Sequence, residues 1–308
     1  MNEVPLKEWI DSGHYIEFDS HQIFVHTDGA VKKPEDMPPG ADPTVDGVFI
    51  IHGFPGSSWD WAAVSAEVSK HTRVVVFDLF GHGNTDKPLE GGFEENYSLF
   101  KQADLAEAVA KAEGLHNVIL VCHDMGQTVA AELMWRQDQG KLSSFKIHHS
   151  IVHNGSTLID LVQLNKLQKD LLDMPDEPFK EDLPRANFEA GIRETMSKEH
   201  PATDVIVKNM VDQIMAKHGS RIMPVIIRYM LQRKRNEPHW QGALTEFKSA
   251  PFSLYWGLQD PVSVEAMPDR IKKLRPSTDV HKWPDVAHWP PIEVPERISK
   301  AIIDRLNG

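Results

Sequence analysis

The 308-residue chain contains a single cysteine, Cys122, which rules out an internal disulfide framework and speaks against a cysteine-based zinc site. A reducing cytoplasm is therefore the expected compartment. Basic residues are also short: 33 Lys plus Arg stand against 45 Asp plus Glu, a net charge of −12. Such a surface repels phosphate backbones and anionic lipids, so neither nucleic acid nor membrane is an expected partner. No stretch approaches about 18 consecutive apolar residues, and MNEVPLKEWIDSGHYIEF has no basic start followed by an apolar run. The expectation is a soluble, unexported protein. Internal repeats and low-complexity tracts are missing as well. What is there is 41% hydrophobic, enough to bury a large core, in a length that fits one large α/β domain carrying an insertion.

Short β-rich runs, HYIEF and QIFVHT, predict a hairpin on a sheet edge. Residues 32–46, KKPEDMPPGADPTVD, read as a Pro/Gly/Asp-rich surface loop. Apolar runs then alternate with helical patterns: GVFIIHG, WAAVSAEVSK, RVVVFDLF, a helix over about 98–113, NVILVCHD and GQTVAAELMWRQ, with KIHHSIVHNG as the next strand. Val/Ile-rich strands that are apolar on both faces, each followed by a helix, predict a mostly parallel sheet with helices on both faces. Over 156–245 the alternation stops, leaving helical segments and proline breaks. It resumes with PFSLYWG, a helix at 264–274, TDVHKWP and a last helix from about 292 to 306. The expected organisation is a core of residues 1–155 and 246–308, with 156–245 a helical cap inserted after the sixth strand.

The segment NVILVCHDMGQTVAAEL places Asp124 between a buried strand and a small-residue helix start, with Cys122 and Gly126 as small flanks. A reactive side chain on a sharp strand-to-helix turn needs such flanks because the turn is crowded. Asp is also a common helix N-cap, and a capping role is the alternative for this residue alone. Two further residues bear on the choice. Asp260, in YWGLQDPV, and His288, in DVAHWPP, each follow an apolar strand, and so fall on loops at the carboxyl ends of strands, where α/β sheets place their sites. The order nucleophile, acid, histidine is that of a hydrolase triad. In IHGFPG, Gly53 lets the chain turn so that the Phe54 amide, with that of Met125, can form an oxyanion hole.

These segments, FIIHGFPGSSWDW, VVVFDLFGHGNTDKP, ILVCHDMGQTVAAEL, GLQDPV and AHWPP, resemble the α/β-hydrolase superfamily. Within it they resemble the epoxide hydrolase and haloalkane dehalogenase branch, which uses aspartate. HGFPGSSWDW, DLFGHGNTDKP and RYMLQRKR are also similar to the mesoderm-specific transcript-like proteins. The resemblance implies an α/β-hydrolase fold and a triad of Asp124, Asp260 and His288. Dehalogenases of the branch usually hold the departing halide with Asn and Trp, at positions where this chain has Phe54 and Met125, whose side chains donate no hydrogen bond. Epoxide hydrolases typically show the HGFP form and two cap tyrosines; of four tyrosines here only Tyr229 lies in the insertion. Asn154 occupies the loop where some dehalogenases place the triad acid, but an amide cannot stabilise an imidazolium as a carboxylate does, so that role falls to Asp260.

An aspartate nucleophile suits attack on a saturated electrophilic carbon, because the product is an alkyl ester rather than an anhydride. The expected activity is therefore epoxide opening to a vicinal diol through a covalent alkyl-Asp124 ester, with Tyr229 donating to the developing alkoxide and His288–Asp260 activating water. Alternatives are a dehalogenase-type or other hydrolase using the same Asp, and a non-catalytic ligand-binding fold. The expected partners are a small hydrophobic substrate, epoxide or alkyl halide, and water, with the protein a monomer or homodimer. Pocket candidates are Phe54, His123, Met125, Asn154, Tyr229 and Trp289. No cofactor or metal is called for. The strand histidines His148, His149 and His153 read as ordinary packing residues, and Arg228, Arg233, Lys234 and Arg235 as the solvated face and end of their helix.

Overall fold

A computed structural model describes residues 4–30 and 44–307; most of the loop expected at 32–46 therefore lies outside the described residues. After a short helix α1 (Leu6–Ser12), β1 (His14–Phe18) and β2 (His21–Asp28) form the expected antiparallel hairpin. The core then runs β3 (Gly47–Ile51), α2 (Ala62–Val68), β4 (Val74–Phe77), α3 (Leu99–Ala112), β5 (Asn117–His123), α4 (Met125–Asp138) and β6 (Lys146–His153).

Between β6 and β7 the described elements are helical: α5 (Lys166–Asp173), α6 (Arg185–Glu194), α7 (Asp204–Met215), α8 (Met223–Ile226), α9 (Tyr229–Arg235) and α10 (Glu237–Glu246). The chain closes with β7 (Phe252–Gly257), α11 (Ala266–Leu274), β8 (Asp279–Trp283), α12 (Pro290–Glu293) and α13 (Pro295–Leu306). The single last helix expected from the pattern is thus two. Pro295 lacks the N–H needed to continue α12 and sits instead at the first turn of α13, the one helical position that tolerates it.

The eight strands form one sheet in the order β1-β2-β4-β3-β5-β6-β7-β8, parallel from β4 through β8 and antiparallel at the hairpin edge. β3, β4 and β7 are buried along their whole length, and β5 in all but its first residue, as a sheet covered on both faces requires. The register aligns Ile51 with Cys122 and His123 with His153, so the loops after β3, β5 and β6 leave the sheet side by side. Among the described residues no helix is long and apolar enough to cross a membrane.

Two glycines make the approach of β3 to the β5–α4 turn possible. A methyl group on Gly126 would lie 2.4 Å from the Ile51 carbonyl oxygen and 2.5 Å from that of His52; one on Gly53 would lie 2.5 Å from Cβ of Asp124. Both obstacles are rigid. Gly126→Ala is therefore expected to destabilise the protein by about 1–3 kcal/mol, read from urea unfolding; an unchanged midpoint would show that the strand ends have room to separate.

Candidate active site

Asp124, between the end of β5 and the start of α4, has φ 47° and ψ −114°, a backbone conformation that L-residues rarely adopt and that costs about 1–3 kcal/mol. Its side chain makes no capping hydrogen bond to α4, which disposes of the simple N-cap reading. One carboxylate oxygen, Oδ2, accepts the Phe54 amide at 2.9 Å; the other, Oδ1, lies 3.9 Å from Nε2 of His288. All three residues are buried.

His288 Nδ1 bonds Oδ2 of Asp260 at 2.8 Å. Asp260 is held on every side: Oδ1 accepts the amides of Val262 (2.7 Å) and Ser263 (2.9 Å), and Oδ2 also accepts Nδ2 of Asn154 at 2.9 Å. Burial by itself would raise the Asp260 pKa, but the His288 charge and these donors outweigh it and hold the carboxyl below its ordinary range. For His288 burial opposes the charged ring, yet the Asp260 and Asp124 carboxylates push it up to about 9.

The loop after β3 is fixed by two neutral histidines. His52 donates from Nδ1 to the Gly53 carbonyl at 2.8 Å and accepts the Leu79 amide at Nε2 (2.9 Å), and His82 Nδ1 pairs with the Gly56 carbonyl at 3.1 Å. Desolvation lowers the pKa of both. At the opposite wall Glu293 accepts the amides of Trp289 (2.8 Å), Ala287 (2.9 Å) and Ser197 (3.1 Å), tying the His288 loop to the helical excursion. Thr195 adds to this tie, since its carbonyl accepts the His288 amide at 3.1 Å and its hydroxyl accepts the Trp289 indole N–H at 2.8 Å. His52, His82, Glu293 and Thr195 were not foreseen; the HG and GHG pairs were visible in sequence, whereas Glu293 and Thr195 carry no local signal.

The pocket candidates separate. Phe54, Trp289 and His288 line a cavity of about 20 Å³ whose far wall is Asn165, Leu167 and Gln168 at α5, with Gly191, Ile192 and Thr195 at α6. His123, Met125, Asn154 and Tyr229 are not on that wall, and neither is Asp124. His123 lies behind it, its Nε2 2.6 Å from the His288 carbonyl oxygen, with burial driving its pKa down to about 4. Asn154 spends its amide on Asp260 and on the Gly257 backbone. Met125 is fully buried, and Tyr229 packs its ring 5.6 Å from that of Phe54, its hydroxyl buried without a hydrogen-bond partner. Burial first, and the Asp124 charge second, raise the Tyr229 pKa.

The basic run of α9 departs from expectation. Lys234 and Arg235 are exposed, but Arg228 is 8% exposed and Arg233 only 1%. Arg228 donates to the carbonyls of Leu172 (2.7 Å) and Met174 (2.5 Å). Arg233 donates from Nε to the Thr128 hydroxyl at 2.7 Å and from Nη2 to the Asp124 carbonyl at 3.1 Å, with its guanidinium 4.6 Å from the centre of the Tyr229 ring. Helical periodicity could have placed Tyr229 and Arg233 on one face, four residues apart, but charge argued for solvent. Among the strand histidines, His149 bonds Ser253 Oγ at 2.9 Å and His153 is buried among Trp61, Tyr255 and Trp283.

The alpha/beta hydrolase family model matches residues 48–301. The chain belongs to that family. At that level of description it is a hydrolase, acting on a small molecule and water. It is 30% identical to "Putative hydrolase LipZ" of Mycobacterium tuberculosis over 99% of both chains. It is 28% identical to the mesoderm-specific transcript homolog protein of Bos taurus, over 98% of this chain and 88% of that one. An alpha/beta hydrolase fold protein from Burkholderia ambifaria superposes with a TM-score of 0.73 at 18% identity, over 96% of this chain and 99% of that one.

Removing either flanking charge lowers the His288 pKa. Asp260→Asn and Asp124→Asn are each expected to bring it down from about 9, followed by NMR of the imidazole protons; a histidine that keeps its titration in both variants is not flanked by the two acids. The raised pKa also sets the sign of a stability effect. Its contribution is complete below the unfolded value of about 6.5 and is lost as pH rises through about 9.

Proposed function

We propose that the protein opens epoxides to vicinal diols through a covalent ester on Asp124, with residues 156–245 acting as a cap over a core of 1–155 and 246–308. The observation that carries this reading is the carboxylate at the elbow, held by the Phe54 amide and facing His288. A serine there would favour acyl transfer; attack by a carboxylate on an acyl carbon yields an anhydride, whereas attack on a saturated carbon yields an ordinary ester. Two observations favour an epoxide over an alkyl halide. The Tyr229 hydroxyl is buried, unpartnered and close enough to Asp124 to feel its charge, so it is free to donate to a developing alkoxide. The indole N–H of Trp289, which would suit a halide, is committed to Thr195.

In this mechanism Asp124 attacks a ring carbon in line with the breaking C–O bond, and Tyr229 protonates the ring oxygen. His288, oriented by Asp260, then takes a proton from water as its oxygen adds to the ester carbonyl. The amides of Phe54 and Met125 hold the oxyanion. Esterification supplies the base for the second step. It removes the Asp124 charge, one of the groups that keep His288 protonated, and so lowers the His288 pKa; the ring then gives its proton to solvent, and takes one back when the Asp124 carboxylate re-forms. Ester hydrolysis is accordingly expected to rise with pH and level off below about pH 9, in single-turnover measurements.

The cavity of about 20 Å³ has room for about one water, so substrate enters when the α5–α6 wall moves. Turnover of an epoxide panel in oxygen-18 water should place label in the peptide containing Asp124. His288→Gln should accumulate the alkyl ester, seen as a mass increase on that peptide. Diol formation without label in Asp124 over repeated turnovers would overturn the covalent route, and faster halide release from bromoalkanes than diol formation would overturn the substrate class.

A further inference from the structure

Arg233 poses an electrostatic problem. It is almost fully buried, and no described carboxylate lies within ion-pair distance of it; its acceptors are the Thr128 hydroxyl, the Asp124 carbonyl and the Met230 sulfur at 3.4 Å. Burying a guanidinium without a bonded anion costs several kcal/mol. The position is also unusual, because the group spans three parts of the site. Nε and Nη2 hold the first turn of α4 and the strained residue itself, while the guanidinium carbon lies over the Tyr229 ring. A cation on an aromatic face at this distance is attracted to the ring, and more strongly as the ring gains electron density.

We propose that Arg233 is a positioning residue that fixes Tyr229 over the elbow and supplies the counter-charge for the negative charge that leaves Asp124. This rests on the epoxide reading above. The reaction starts from the Asp124 carboxylate as nucleophile. During ring opening the Asp124 oxygen forms a bond to carbon, the C–O bond of the ring breaks, and its electron pair goes to the ring oxygen. That oxygen takes the Tyr229 proton, leaving a tyrosinate. The negative charge thus moves from the Asp124 carboxylate, which Arg233 meets only through the backbone carbonyl of that residue, onto the ring beneath the guanidinium, so the buried cation gains a direct counter-charge as the epoxide opens. Hydrolysis restores the start: one water proton reaches the product alkoxide through His288, the oxygen and the other proton regenerate the carboxyl, and that proton returns to Tyr229.

Two measurements test this. In the first, the four tyrosines are replaced biosynthetically by 3,5-difluorotyrosine, whose phenol is more acidic, and the Tyr229 fluorine signal is identified by its loss in Tyr229→Phe. Arg233→Met, which keeps an apolar side chain of similar length, should move the titration of that signal upward by about one pH unit or more. Arg233→Lys should largely restore it, and decides the matter if the methionine variant does not fold. In the second, ester formation from an epoxide is followed in a single turnover. Arg233→Met should slow it about 100-fold with little change in KM, and should add little in a Tyr229→Phe background. A fluorine titration indifferent to Arg233, or losses that multiply in the double variant, would overturn the proposal. A shifted titration in a protein that opens no epoxide would overturn the substrate reading while leaving the Arg233–Tyr229 pair in place.

Discussion

The site depends on one backbone constraint, the left-handed turn at Asp124. A residue with φ 47° and ψ −114° holds that geometry only if the chain on both sides is immovable. On one side β5 is hydrogen-bonded between β3 and β6 in the middle of the sheet, and on the other α4 is buried from Met125 through Met134. Gly53 and Gly126 let the loop after β3 close on the turn, which brings the Phe54 amide to the carboxylate. Asp260 and His288 are then placed by strands farther along the same sheet, so the parallel register brings the site residues together and their mutual hydrogen bonds fix the final geometry.

Much of this was legible in the sequence, for a physical reason. A sheet covered on both faces demands continuous apolar runs, and those runs mark strand ends, where the site residues fall. The hairpin, the alternation and the helical excursion were read in this way, as were the positions of Asp124, Asp260 and His288. Contacts that cross between distant segments were not legible. Glu293 and Thr195 act through backbone amides and carbonyls nearly a hundred residues away, and no periodicity encodes that. Arg233 was misread because charge ordinarily signals solvent; here its cost of burial is offset by acceptors on α4 and by an aromatic ring, none of which is adjacent in the chain. Asn154 was read by its chemical inability to be an acid, and its place behind Asp260 gives the amide a supporting task instead.

The charges form an alternating set. Asp260, His288 and Asp124 follow one another in space, and Arg233 touches the backbone of the last. In a medium of low dielectric each member stabilises its neighbours far more than in water. A change at any one is therefore felt by the rest, so in the proposed mechanism loss of the Asp124 charge would lower the His288 pKa without any movement of atoms.

The smallness of the closed cavity bears on kinetics as well as on fit. The space between Phe54, Trp289 and the residues at α5 and α6 admits little more than a water molecule, so in the proposed reaction a substrate would have to part that wall before reaching Asp124. Substrates of quite different size would then share one limiting association rate, and selectivity among them would be exercised at closure, when the wall settles against Phe54 and Trp289, rather than at entry.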